Sequence, residues 1–317
     1  MRIKSPVLKP LYLSLFLLVS VCSAYTWQWP LSPVVLVHTF GDNDSGRFRL
    51  GDALAGADSK VESVSSGSVV YSFQSGGRTS VLPSVLGNFV VVQHPDGFRS
   101  IYSHLATVNP PSGNFGPGTI LGSTGMSGIA QHAGLDLRIV DMKLHRMVNP
   151  MAVLPSVRDR LYPEVHGLYI HASGTPYTPM AEGIVVQPGR WEIAADIADQ
   201  GQGSQLPAPV APFGLGLELD GKQITHISLE YISLKDGDLY IDRDHRWDFK
   251  ALYRGPFLYN LGEVVLAAGP HTLRIRVSDF AGNETVIDRH IVVAAPAPSP
   301  ALPEQGAVPV QPPGGAQ

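Results

Sequence analysis

Residues 87–105 read GNFVVVQHPDGFRSIYSHL. Two runs rich in β-branched and aromatic residues flank Pro95-Asp96-Gly97, a strong hairpin turn signal. The pattern recurs in SSGSVVYSF (65–73), GTILGSTGMSG (118–128) and QHAGLDLRIV (131–140). A chain written as short alternating runs between glycine turns is constrained to antiparallel sheet. Gly (33 residues) and Pro (27) are many, charged residues make up only 16%, and helical periodicity is scarce, so we read an all-β protein.

The stretch QHAGLDL (131–137) carries the most chemistry. Leu135 and Leu137 are apolar, so a strand here puts His132, Gly134 and Asp136 on the other face. Two proton-handling groups share that face with a blank between them.

The first 24 residues have a basic start (Arg2, Lys4, Lys9), an apolar run from Leu11 to Val21, and a small-residue exit at Cys22-Ser23-Ala24. This is the layout of a secretory signal peptide, and it predicts export to the periplasm or cell envelope. A retained anchor would need ~20 apolar residues, more than the run supplies. Lipidation at Cys22 is the other alternative, although Val21 is larger than the residue usual before a lipidated Cys. Cys22 is the single cysteine, so cleavage after Ala24 leaves a chain held by core packing and not by disulfides. The net charge of −4 gives no sign of a nucleic-acid partner.

Length permits two domains. Residues 33–155 form the first unit. Residues 163–293 have the pattern of an immunoglobulin- or fibronectin-like β-sandwich. There HTLRIRVSD (271–279) sets Leu273, Ile275 and Val277 inward and Arg274 and Arg276 outward, and ITHISLEYISL (224–234) reads as another strand region. The Asp residues of DLYIDRD (238–244) read as turn formers. Residues 294–317, rich in Pro and Ala, cannot bury enough surface to offset their ordering entropy and read as a disordered tail.

The first unit resembles the lysostaphin/LytM-type zinc metalloendopeptidases, which cut the peptide cross-links of peptidoglycan. HTFGDNDSGRFRLGDAL (38–54) stands where that family has a Phe-Gly turn and its first metal motif. SSGSVV, GNFVVVQHPDGFRSIYSHL, GTILGSTGMSG and VNPMAVLP (148–155) follow in the family's order. The resemblance implies a LytM/lysostaphin-type antiparallel β domain with a substrate groove.

It also implies where the metal would be held. The family binds zinc through His-x-Gly-x-Asp and through the second His of a His-x-His strand. In the first motif Arg49 stands in the His place and Ala53 in the Asp place. Setting His132 as the first His of the strand puts Gly134 in the place of the third ligand. Arg, Ala and Gly offer no donor to a metal. His104 and His132 match the two further histidines that serve catalysis in the family. Arg49, Asp52, Tyr102 and Asp136 are candidate lining of the groove, with Arg49 placed to pair with Asp136. His94 and His145 receive no catalytic role.

Without zinc no water becomes acidic enough to attack an amide. A His pair supplies on the order of 10²–10⁴-fold by acid–base catalysis, well short of what amide hydrolysis needs. The resemblance therefore implies a pseudoenzyme with no cofactor, whose partner is peptidoglycan or a cell-wall amidase or hydrolase. Two alternatives stand beside it. One is an active zinc endopeptidase whose site is rebuilt from Asp52 with His38, His104, His132 or Asp136. The other is an adhesive envelope protein acting through its sandwich.

Overall fold

A computed structural model describes residues 26–75, 84–200, 209–241 and 246–295. The expected signal peptide, Cys22 and residues 296–317 of the expected tail lie outside the described residues. No described helix is long and apolar enough to cross a membrane.

The hairpin signal is realised as strands Asn88–Gln93 and Phe98–Leu105. Gly97 takes φ +96°, a left-handed conformation that glycine adopts without a Cβ clash, and His94 N–H donates to the Phe98 carbonyl at 2.9 Å. Strand Phe98–Leu105 pairs with Gly134–Asp141 on its other side. Strand Gly134–Asp141 in turn meets two shorter strands along its far edge, Asp52–Ala55 and Arg146–Val148. These belong to one ten-stranded sheet. Its buried face carries Val90, Val92, Tyr102, Leu105, Leu135, Leu137 and Ile139. A three-stranded sheet of Lys60–Glu62, Ile120–Ser123 and Thr107–Val108 contributes Val61 and Leu121 to the same core.

The second unit is two five-stranded sheets over a common core. One is centred on Gly189–Gln200, flanked by Glu164–His171 and Leu258–Leu266. The other runs Ile184–Val186, Glu284–Val293, Gly269–Ser278, Gly214–Leu219, Lys222–Ser228. Leu273, Ile275 and Val277 are fully buried. Arg274 and Arg276 face out and pair across strands with Asp288 and Glu218.

The expected single stretch at 224–234 is divided between the units. Lys222–Ser228 stays in the sandwich, whereas Tyr231–Lys235 crosses to pair with Arg146–Val148 and extend the first unit's sheet. Asp238–Tyr240 of the Asp-rich run then forms the sheet's edge. Asn149 fastens the crossing: its backbone N–H donates to Glu230 O at 2.8 Å and its Nδ2 to Leu229 O at 2.9 Å. Phe40 and Phe48 reciprocate by packing into the second unit's core. Gly41 makes room for this contact, because a Cβ there would lie 2.9 Å from Leu229 Cδ1.

Candidate functional site

Strand alternation fixes what faces the cleft. Leu135, Leu137 and Ile139 enter the core, so Asp136 and Arg138 stand on the opposite face. Asp136 lies opposite Ala53 on one neighbour and opposite Ser103 on the other. Arg49 comes from the turn before Asp52–Ala55, held by backbone bonds to Gly41 and Asp42, both at 2.9 Å. Gly51 lets that turn pass under the strand, since a Cβ there would sit 2.2 Å from the Leu137 carbonyl oxygen.

His104 is aimed by a β-bulge. Asn88 pairs with Leu105 and Val90 with Tyr102, so one residue of the first strand faces two of the second. His104 absorbs the irregularity at φ +68°, a conformation a non-glycine residue adopts at a cost. The bulge keeps both Tyr102 and Leu105 in the core while turning the imidazole to the cleft.

Three side chains meet at this point. Arg49 Nη1 lies 3.2 and 3.4 Å from the two oxygens of Asp136, and His104 Nε2 lies 3.6 Å from Oδ2. Arg138 Nη2 is 4.0 Å from Oδ2, and Arg49 Nη2 is 3.5 Å from Asp44. Burial works against the Asp136 charge, yet His104, Arg49 and Arg138 outweigh it and hold the carboxyl below its ordinary pKa. Burial likewise opposes protonation of His104. Its two ring nitrogens nevertheless face acceptors, Asp136 and the Ser127 carbonyl (2.8 Å from Nδ1), and the net pKa shift is upward.

Other expected site residues fall elsewhere. His132 sits at the cleft wall, its ring 6.3 Å from that of His38; burial and then His38 push its pKa down. Asp52 does not line the groove. It lies opposite core-facing Leu137, is fully buried, and accepts the Phe40 N–H at 2.9 Å. Tyr102 is also in the core, its hydroxyl accepting from Val64 N–H at 2.8 Å and from Ser100 Oγ at 3.0 Å. His94 completes that buried chain with Nε2 2.8 Å from Ser100 Oγ.

Gly134 is displaced from its expected corner too. It pairs with Ala55, two residues along from the Asp136–Ala53 pair, and a Cβ there would lie 2.1 Å from the Leu54 carbonyl oxygen. A side chain at that point would force the Leu54 backbone to shift. The residue facing both Arg49 and the Ala53 position is Asp136. Sequence reasoning missed Arg138 and Asp44; for Arg138 the signal was present, since residues 136 and 138 share a strand face.

The donor set does not suit a catalytic zinc. Such a site needs three protein ligands and an open position. His104 and Asp136 are the two donors at the centre, and the Arg49 guanidinium stands against them. Among the described residues no three His, Cys, Asp or Glu side chains converge as a metal site.

Comparison with known proteins finds a family match for the segment that carries most of this site. The model of peptidase family M23 matches residues 50–150, and a second, distinct family model matches residues 162–294. Among curated proteins, none matches the chain. Among solved structures, the catalytic domain of lysostaphin from Staphylococcus simulans is 23% identical over 37% of this chain and 90% of its own, with a TM-score of 0.32. The catalytic domain of the prophage-encoded M23 protein EnpA from Enterococcus faecalis is 22% identical over 38% and 90%, with a TM-score of 0.32. A structure of the SpoIIQ–SpoIIIAH pore-forming complex matches at 21% identity over 42% and 92%, with a TM-score of 0.35. Residues 50–150, which carry His104, Asp136 and Arg138, thus match the model of peptidase family M23, and Arg49 stands one residue before that match.

Proposed function

We propose that this M23 domain is non-catalytic and that its cleft serves to bind peptidoglycan in the cell envelope, where the exported protein would act. One observation carries the reading: the Arg49 guanidinium is ion-paired with Asp136 where the peptidase fold would hold its metal. A fixed cation there repels a divalent ion and occupies the carboxylate that would ligate it. The family's catalytic histidine position is committed as well, with His104 engaged by Asp136 and by Ser127 O. A cleft whose central carboxylate is already paired with a guanidinium fits recognition better than metal-assisted amide hydrolysis. The sandwich would present the cleft at a distance from its attachment or make a second contact. A wall hydrolase regulated through the same cleft is the partner version of this proposal.

The test uses purified sacculi and the exported chain supplied with zinc. Expected are co-sedimentation with sacculi, zinc far below one equivalent after dialysis, and no release of muropeptides. Near-stoichiometric zinc, with cleavage abolished by His104→Ala, would overturn the proposal. Failure to sediment, together with capture of a wall hydrolase, would move the partner from polymer to enzyme.

A further inference from the structure

The charges in the cleft are unevenly spent. Asp136 is faced by Arg49, His104 and Arg138, while Asp44 beside Arg49 is the second carboxylate. Arg49 uses Nη1 on Asp136 and directs Nη2 at Asp44. Arg138 is different. It approaches Asp136 only to 4.0 Å, and among the described residues it donates no hydrogen bond. Its side chain is 29% exposed and lines the cleft, and its stem crosses Gly51, where a Cβ would lie 2.7 Å from Arg138 Cγ. A planar fork of donors thus lines the cleft with its hydrogen bonds unspent, its stem given room by a glycine.

The rim has the opposite character. Val85 and Ile129 are 64% and 69% exposed, both line the cleft, and they are tied together by a bond from Ile129 N–H to Val85 O at 3.2 Å. Exposed apolar side chains in the same cleft as an unspent guanidinium call for a ligand with both an anionic end and an apolar group.

We propose that the cleft holds the free terminal carboxylate of a peptide whose last side chain is apolar, gripped by the Arg138 fork and flanked by Val85 and Ile129. This rests on the wall-binding reading and specifies which part of the wall peptide is recognised. Asp44, Arg49, His104, His132, Asp136 and, behind His132, His38 are the other charged or titratable groups near the ligand.

The experiment titrates the full chain with acetyl-D-Ala-D-Ala as the free acid and as its C-terminal amide, with acetate as a third arm. The free acid is expected to bind at least tenfold tighter than the amide and than acetate. Arg138→Lys should lose most of the acid-over-amide ratio, and Val85→Ser with Ile129→Ser should lose the preference for an Ala end over a Gly end. Equal binding of acid and amide by the unaltered chain overturns the inference without relying on any variant. Acetate binding as tightly as the dipeptide overturns its peptide part. Sedimentation with sacculi run in parallel separates the two levels. Sacculi bound with no acid preference leave the wall reading and remove the carboxylate site; acid preferred with sacculi unbound does the reverse.

Discussion

Arg49 donates from one guanidinium nitrogen to both carboxylate oxygens of Asp136, across 87 residues of sequence. The two side chains are only 14% and 13% exposed, so the pair is largely withdrawn from water. Removing one partner of such a pair leaves a buried charge uncompensated, which commonly costs 3–5 kcal/mol. His104 and Arg138 share the compensation here. We therefore expect Arg49→Ala to destabilise the fold by about 3 kcal/mol, at the low end of that range. Arg49→Ala with Asp136→Asn should recover part of the loss. Denaturant midpoints of the two single variants and the double variant measure the coupling.

His104 supplies the pH dependence of the same cluster. Its folded pKa is raised, so the stability it contributes is fully present below about 6.5 and is lost as pH rises through the folded value. Asp136 is depressed, so its contribution is present above its unfolded pKa and is lost as pH falls through the folded one. The ion pair is therefore strongest between the two folded values. An NMR titration of the His104 ring should give a pKa above 6.5. In Asp136→Asn it should drop, because burial then acts with less opposition. A His104 pKa unchanged by Asp136→Asn would remove the carboxylate as its cause.

Much of this was legible in the sequence, and the misses share a physical origin. Period-2 alternation identified the core faces of 134–141 and 269–278, because a strand offers only two faces. The motifs brought Arg49, His104 and Asp136 to one groove. Alternation cannot say which of several same-face residues meets a given neighbour, so it does not choose between Gly134 and Asp136 as the residue opposite Ala53. The bulge at His104 inserts one residue and breaks the parity on which such counting relies. Asp52 was readable in principle, since parity with Leu54 and Leu137 points it to the core. The crossing of Tyr231–Lys235 to the other unit's sheet was not, because an alternating strand reads the same in either sheet.

Asp52 makes a prediction opposite in sign to that of Asp136. Burial pushes its pKa up to about 8, against the Phe40 N–H that favours the anion, and Asp42 and Asp136 nearby add to the rise. Its second oxygen is buried without a partner. The folded state keeps a proton that the unfolded chain releases near pH 4, so stability should fall as pH rises from about 4 to about 8. The slope approaches ~1.4 kcal/mol per pH unit. Asp52→Asn keeps an acceptor for Phe40 N–H and cannot ionise. Thermal melts across this range should lose that slope in the variant, and an unchanged slope would assign it to other groups.

The register of strand Gly134–Asp141 can be tested by rebuilding the metal site. If Asp136 stands in the third ligand corner, Arg49→His with Ala53→Asp and Asp136→His should create two His and one carboxylate facing one point, the donor set a catalytic zinc accepts. That variant should retain close to one equivalent of zinc after dialysis, and its thermal midpoint should rise with added zinc. The matched control puts the third histidine at the other candidate position: Arg49→His, Ala53→Asp and Gly134→His. A Cβ at residue 134 would lie 2.1 Å from the Leu54 carbonyl oxygen, a backbone atom that can move only by parting strands 52–55 and 134–141. The control should be strongly destabilised and retain no zinc. Gly134→Ala alone should show the same steric cost, measured as a lowered denaturant midpoint without any metal present. Zinc held by the control and not by the first variant would return the ligand corner to Gly134.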